Sequence, residues 1–152
     1  MVVTMLEMKA TLKEQDIGEF ERRTGLKFPP QYRAWLLRYN GGRPEPKGFR
    51  YKYESGPYTD SCVAWFFNLG DAKYERLEGE LRVYKNPDDK RLPDELIPFA
   101  RDPFGNLICI SMCGENQGKV YFWDHEEEDT PPSYRNCHLI ADSFDEFIAA
   151  LH

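Results

Sequence analysis

Two consecutive prolines, Pro29 and Pro30, interrupt a stretch of otherwise helical spacing and divide residues 17–42 into two helices with two hard stops. In the first half, Ile17 and Phe20 share one helical face, Glu19, Glu21, Arg22 and Arg23 point to water, and Gly25 can supply the left-handed residue that ends the helix. Asp16 is placed to cap its start. Pro29-Pro30 cannot continue that helix but suits the first turn of another, where a proline lacks only an N–H that has no helical partner anyway. Tyr32, Trp35, Leu36 and Tyr39 then recur at i, i+3, i+4 and i+7, and Asn40-Gly41-Gly42 closes the second helix with residues that tolerate positive φ. A stripe of that kind requires a sheet to cover.

The remainder of the chain supplies strands. The leader, residues 1–12, is weakly patterned and reads at most as a helical turn or two, and residues 43–48 are punctuation, with two prolines that forbid continuous pairing. Phe49, Tyr51 and Tyr53 alternate with Arg50, Lys52 and Glu54 as in a half-buried strand that Ser55-Gly56-Pro57 ends. Residues 62–69 are nearly all apolar and read as a central strand, buried on both faces and paired with the preceding one. Tyr74, Leu77, Leu81 and Tyr84 mark a surface helix stopped at Asn86-Pro87. Residues 96–124 read as a three-strand antiparallel meander, and residues 137–141 as one last strand. A final helix carries Phe144, Phe147, Ile148 and Leu151, with Ser143 and Glu146 spaced as a capping box. The pattern predicts a single α+β domain over residues 1–152: about six mostly antiparallel strands, with the N-terminal helix pair and the C-terminal helix on one face.

Composition bounds what such a domain can do. A chain of 152 residues buries roughly 68–70% of its unfolded surface and needs no staple. An apolar share of 41% and an aromatic share of 14% argue for a packed core despite 30% charged residues. A net charge of -6 and a pI near 5.1 exclude nucleic acid and anionic membrane as natural ligands and favour a basic partner. The first ten residues have neither the basic nor the apolar part of a secretion signal, so the expected location is the cytoplasm, where Cys62, Cys109, Cys113 and Cys137 stay free thiols.

Several blocks in order resemble a known family. The acidic first helix, the Leu26-Lys27-Phe28-Pro29-Pro30 entry, the Trp35-Leu36-Leu37 helix and the Asn40-Gly41-Gly42 exit resemble the opening of the SUKH superfamily, in its branch similar to fungal cell-wall-synthesis regulators. Residues 97–110 (IPFARDPFGNLICI), 118–126 (GKVYFWDHE) and 140–151 (IADSFDEFIAAL) resemble that family's later blocks. The resemblance spans most of the chain. It implies a non-enzymatic binding protein, and in bacterial members an immunity protein that neutralises a cognate toxin, many of these being nucleases. The alternative it implies is a scaffold or regulator bound to an endogenous partner, as on the eukaryotic side of the family.

The residues themselves show little catalytic chemistry. Cys109, Cys113, His125, Cys137 and His138 are metal-capable, but they lack the paired loop spacing of a zinc site, so no metal and no cofactor is expected. No Gly-x-Ser-x-Gly turn signals an activated nucleophile, and the chain has only three histidines, so no enzyme activity is expected. Asp124, Glu126, Glu127, Glu128 and Asp129 place five acids in six residues of a polar loop. Most such runs are solvated faces, yet one beside aromatic strand ends can steer a basic partner and mask its phosphate-binding groove. Tyr51, Tyr53, Tyr58 and Trp123 have a plain role in sheet packing and, flanked by acids, are also the residue types of interface anchors. These nine residues form the expected partner surface, with charge supplying on-rate and aromatics affinity.

Overall fold

Strands buried at every position need cover on both faces, and two segments of this chain, Leu107–Ser111 and Val120–Trp123, are of that kind. The computed structural model, which describes residues 2–53 and 56–152, provides the cover with four helices and eleven short strands among those residues. In chain order these are β1 (Thr4–Leu6), α1 (Glu14–Thr24), α2 (Pro30–Arg38), β2 (Arg43–Glu45), β3 (Gly48–Lys52), β4 (Tyr58–Cys62), β5 (Trp65–Phe66) and α3 (Leu77–Tyr84). There follow β6 (Lys85–Asn86), β7 (Asp89–Lys90), β8 (Leu96–Arg101), β9 (Leu107–Ser111), β10 (Val120–Trp123), β11 (Cys137–Ala141) and α4 (Phe144–Ala149). The expected α+β class holds. Met1, and Glu54 and Ser55 at the predicted strand end and turn, lie outside the described residues.

The central sheet is antiparallel with strand order β11-β10-β9-β8-β5, so the predicted meander is its middle. Register puts His138, Phe122, Ile108 and Ala100 side by side on one face and Cys137, Trp123, Leu107 and Arg101 on the other. The first face carries α2 and α4: Phe99 meets Tyr32, Phe144 and Phe147 at ring-centroid distances of 5.6, 5.3 and 5.6 Å. α1 joins through Phe20, Phe28 and Tyr32, as the placement of the N-terminal pair predicts. The β3–β4 hairpin adds Phe49 and Tyr51 over Phe122 on the same face. α3 covers the opposite face, where Tyr84 stands edge-on to Trp123 at 5.4 Å. Each aromatic pair of this sort adds about 0.5–1.5 kcal/mol beyond its buried area.

Several expectations need correction. Among the described residues the strands number eleven in four sheets, rather than about six, because the apolar runs are broken into short ladders. The leader is extended, not helical: β1 pairs with β2, and Pro44 sits opposite Met5 in an edge ladder, where a missing N–H is tolerated. Residues 62–69 are not a central strand. Cys62 ends β4, and β5 is the edge of the main sheet, paired with β8 rather than β3. Its apolar character comes from side-chain packing, with Val63, Phe66, Phe67 and Leu69 all buried. Lys13, not Asp16, precedes α1, and the Asp16 carboxylate instead accepts the Lys13 N–H at 2.8 Å. Tyr74 lies outside α3 and is exposed. Ser143 caps α4 by accepting the Glu146 N–H, while the Glu146 carboxylate takes the N–H of Asp142 rather than that of Ser143.

Positive φ is required at the exit of α2. Gly41 and Gly42 have φ of 73° and 107°, and a Cβ on Gly42 would stand 2.5 Å from the carbonyl oxygen of Leu6. The turn therefore needs glycine both for its backbone and for the approach of β1. Among the described residues, no helix is long and apolar enough to cross a membrane.

Candidate partner surface

β10 runs directly into the acidic loop through Asp124, and this residue is held on every side. Its N–H donates to the Asn136 carbonyl at 3.0 Å, its carbonyl accepts Asn136 Nδ2 at 2.9 Å, and its Oδ1 accepts the Glu126 N–H at 2.9 Å. The last bond starts a one-turn 3₁₀ helix, His125–Glu127. Asp124 is buried, so its carboxylate builds the loop and is not presented to a partner.

The rest of the acidic run is partly neutralised by the fold. Glu128 is gripped by Arg91 through two hydrogen bonds, at 3.2 and 2.8 Å, and the Arg91 guanidinium lies over the rings of Tyr84 and Trp123. Asp129 accepts two bonds from Arg135, both at 2.9 Å, and one from Ser133 Oγ at 2.6 Å. Arg135, and after it Ser133, hold its carboxyl pushed down to about 2. Glu126 is exposed and, among the described residues, has no ion pair with Lys or Arg. Glu127 is half exposed, 3.8 Å from His138 Nε2. The negative charge open to a partner is thus that of Glu126 and Glu127.

The four aromatic residues separate in the same way. Trp123 is fully buried between the sheet and α3, and Tyr51 is stacked on Phe122 at 4.0 Å. Neither can anchor a partner, because strand alternation turns both into the core. Tyr58, at the start of β4 opposite Lys52, is 65% exposed. Tyr53, just past β3, is half buried: its hydroxyl donates to Asp124 Oδ2 at 3.4 Å and its ring lies 4.5 Å from that of His138. The hairpin and the acidic loop, read separately from sequence, therefore meet at Tyr53 and Asp124.

Sequence reasoning grouped His138 with the cysteines. The structure gives it different neighbours: Asp124, Glu127 and His138 each bring a ligand atom within 4.8 Å of the others. The signal was the i, i+3 spacing of Asp124 and Glu127, which a single helical turn places on one side. All four cysteines are free thiols. Cys109 is fully buried, and burial pushes its thiol well up; burial also pushes Cys137 up to about 12. His125 turns away, its Nδ1 2.6 Å from Asn106 Oδ1.

No curated protein matches this chain in a sequence comparison. The model of the SMI1 / KNR4 family (SUKH-1) matches residues 11–150, from the residue before Leu12 to the end of the last helix, and the chain belongs to that family.

Proposed function

We propose that this protein is a non-enzymatic binding module that acts as an immunity protein, neutralising a basic toxin domain by direct contact. The observation that supports this most is the junction of Tyr53 with Asp124, which makes one surface of the β3–β4 hairpin and the acidic loop. That surface offers an exposed aromatic ring at Tyr58 and unneutralised carboxylates at Glu126 and Glu127. The net charge of -6 adds long-range attraction for a cationic partner. A basic nuclease domain, whose own substrate groove must be cationic, fits that charge.

The test is a pull-down from the source cells at low and at raised salt, followed by association kinetics with whatever elutes. The expected result is a basic toxin domain in a one-to-one complex, with an association rate that falls as salt rises. The double replacement Glu126→Lys and Glu127→Lys, measured with chelator present, should slow association at least about tenfold at low salt. An unchanged rate would make the acidic loop a solvated face only. Elution of endogenous pathway proteins instead would favour the scaffold reading.

A further inference from the structure

His138 is 5% exposed, and its Nε2, buried from water, has no hydrogen-bond partner among the described residues. An imidazole nitrogen withdrawn from solvent without a partner is destabilising, and such atoms in a folded protein call for an explanation. Here Nε2 lies 3.8 Å from a carboxylate oxygen of Glu127, and Asp124, Glu127 and His138 each bring one ligand atom within 4.8 Å of the others. Two of the three residues are buried, so the group is not a solvated acidic patch.

We propose that Asp124, Glu127 and His138 form a binding site for a divalent transition-metal cation of the zinc class. One imidazole with two carboxylates selects zinc, cobalt or manganese over calcium and magnesium, which take oxygen ligands alone. Two of the ligands are rigid: Asp124 is fixed by Asn136 on its backbone and by the Glu126 N–H on Oδ1, and His138 is locked in β11 opposite Phe122. The third, Glu127, has a 42% exposed side chain and supplies the movement that closes the ligand atoms to metal–ligand distances of about 2.0–2.2 Å. Tyr53 serves in the surrounding layer, its hydroxyl donating to Asp124 Oδ2 and orienting that carboxylate. Three protein ligands leave a fourth position for water or for a partner's side chain. The site explains at once the orphaned imidazole nitrogen and the close approach of two carboxylates, since a bound cation satisfies all three groups. It stands apart from the partner reading, because it requires no second protein.

The experiment is titration of the Cys113→Ser protein, free of any histidine tag, with Zn²⁺ by calorimetry and with Co²⁺ by visible absorption. Removing the exposed Cys113 thiol removes the most accessible competing ligand. The expected result is one ion per chain, a Co²⁺ spectrum without a thiolate charge-transfer band, and loss of at least about tenfold in affinity on Glu127→Gln. Because His138 is buried, loss of binding in His138→Gln would not separate ligand loss from misfolding; the half-exposed Glu127 variant keeps the test independent of that, with circular dichroism as its control. In parallel, the ¹⁵N resonance of His138 Nε2 should shift on addition of Zn²⁺. No binding, binding unchanged by Glu127→Gln, a thiolate band, or a His138 resonance that stays in place would each overturn the site.

Discussion

The side chain of Asn40 pairs with the backbone of Leu69 as a neighbouring strand would, its Oδ1 accepting the Leu69 N–H and its Nδ2 donating to the Leu69 carbonyl, both at 2.8 Å. Nδ2 also donates to the carbonyl of Ala10 at 2.9 Å, so one buried amide ties together the leader, the exit of α2 and the segment after β5. An amide is the only side chain with a donor and an acceptor disposed to do this.

Replacing Asn40 therefore leaves Leu69 with an unpaired donor and acceptor in a buried setting. Asn40→Ala should cost about 2–4 kcal/mol in urea unfolding. Asn40→Asp keeps the shape but turns a carboxylate oxygen toward two carbonyls, and it should be at least as damaging. A loss below about 0.5 kcal/mol for either would mean that water replaces the amide.

Trp123 and Tyr58 should respond in opposite ways to truncation. Trp123 is fully buried, so Trp123→Ala should destabilise by about 3–5 kcal/mol whatever the protein binds. Tyr58 is 65% exposed, and Tyr58→Ala should change stability by no more than about 0.5 kcal/mol. Any weakening of the partner complex by Tyr58→Ala would then be a direct contact effect, read by comparing dissociation rates with the unfolding midpoint.

Thiol reactivity should follow burial. At pH 8, a thiol with its pKa pushed up to about 12, as in Cys137, is almost wholly protonated, and complete burial pushes the Cys109 thiol well up too. Exposed Cys113 should be alkylated in the native protein, while Cys109 and Cys137 should become reactive only on unfolding. Mass spectrometry after a short iodoacetamide pulse, with and without urea, checks this; native labelling of Cys109 would contradict the packing of β9.

Glu78 gathers three arginines and sets a pH dependence. Arg23 donates to its carboxylate at 2.6 Å, and this bond, more than the charges of Arg82 and Arg76, holds its pKa below the ordinary carboxylate value against the opposing effect of burial. A carboxyl lowered by folding contributes stability that is fully present above its unfolded pKa of about 4.3 and is lost as pH falls through the lower folded value. Arg23→Gln should raise the Glu78 pKa, followed by NMR titration, and shrink the acid-dependent part of the unfolding free energy. A Glu78 titration unchanged by Arg23→Gln would show that the other two arginines suffice.

The elements legible in the sequence were those whose signals are local. Pro29-Pro30, Gly25 and the i, i+3, i+4 stripe of Tyr32, Trp35 and Leu36 act within a few residues, and α1 and α2 form where those signals place them. The alternation in residues 96–124 and 137–141 likewise predicts β8 to β11, because each strand and its turn are contiguous. The capping role of Ser143 follows from a spacing of three residues.

What the tertiary structure decided was everything that depends on a partner distant in sequence. The leader becomes a strand only because Arg43–Glu45 lies beside it, and Asn40 becomes an anchor only because Leu69 comes within reach. Residues 62–69 are apolar whether they form a central strand or an edge, since hydrophobicity records burial and not position in a sheet. The same holds for the candidate surface. Five acids in six residues look alike in sequence, but Arg91 and Arg135 neutralise two of them, Asn136 fixes a third inside the protein, and His138 turns toward the carboxylates from another strand. Charge is a property of the residue, whereas the exposure, pairing and ligand geometry of that charge belong to contacts that only the folded chain makes.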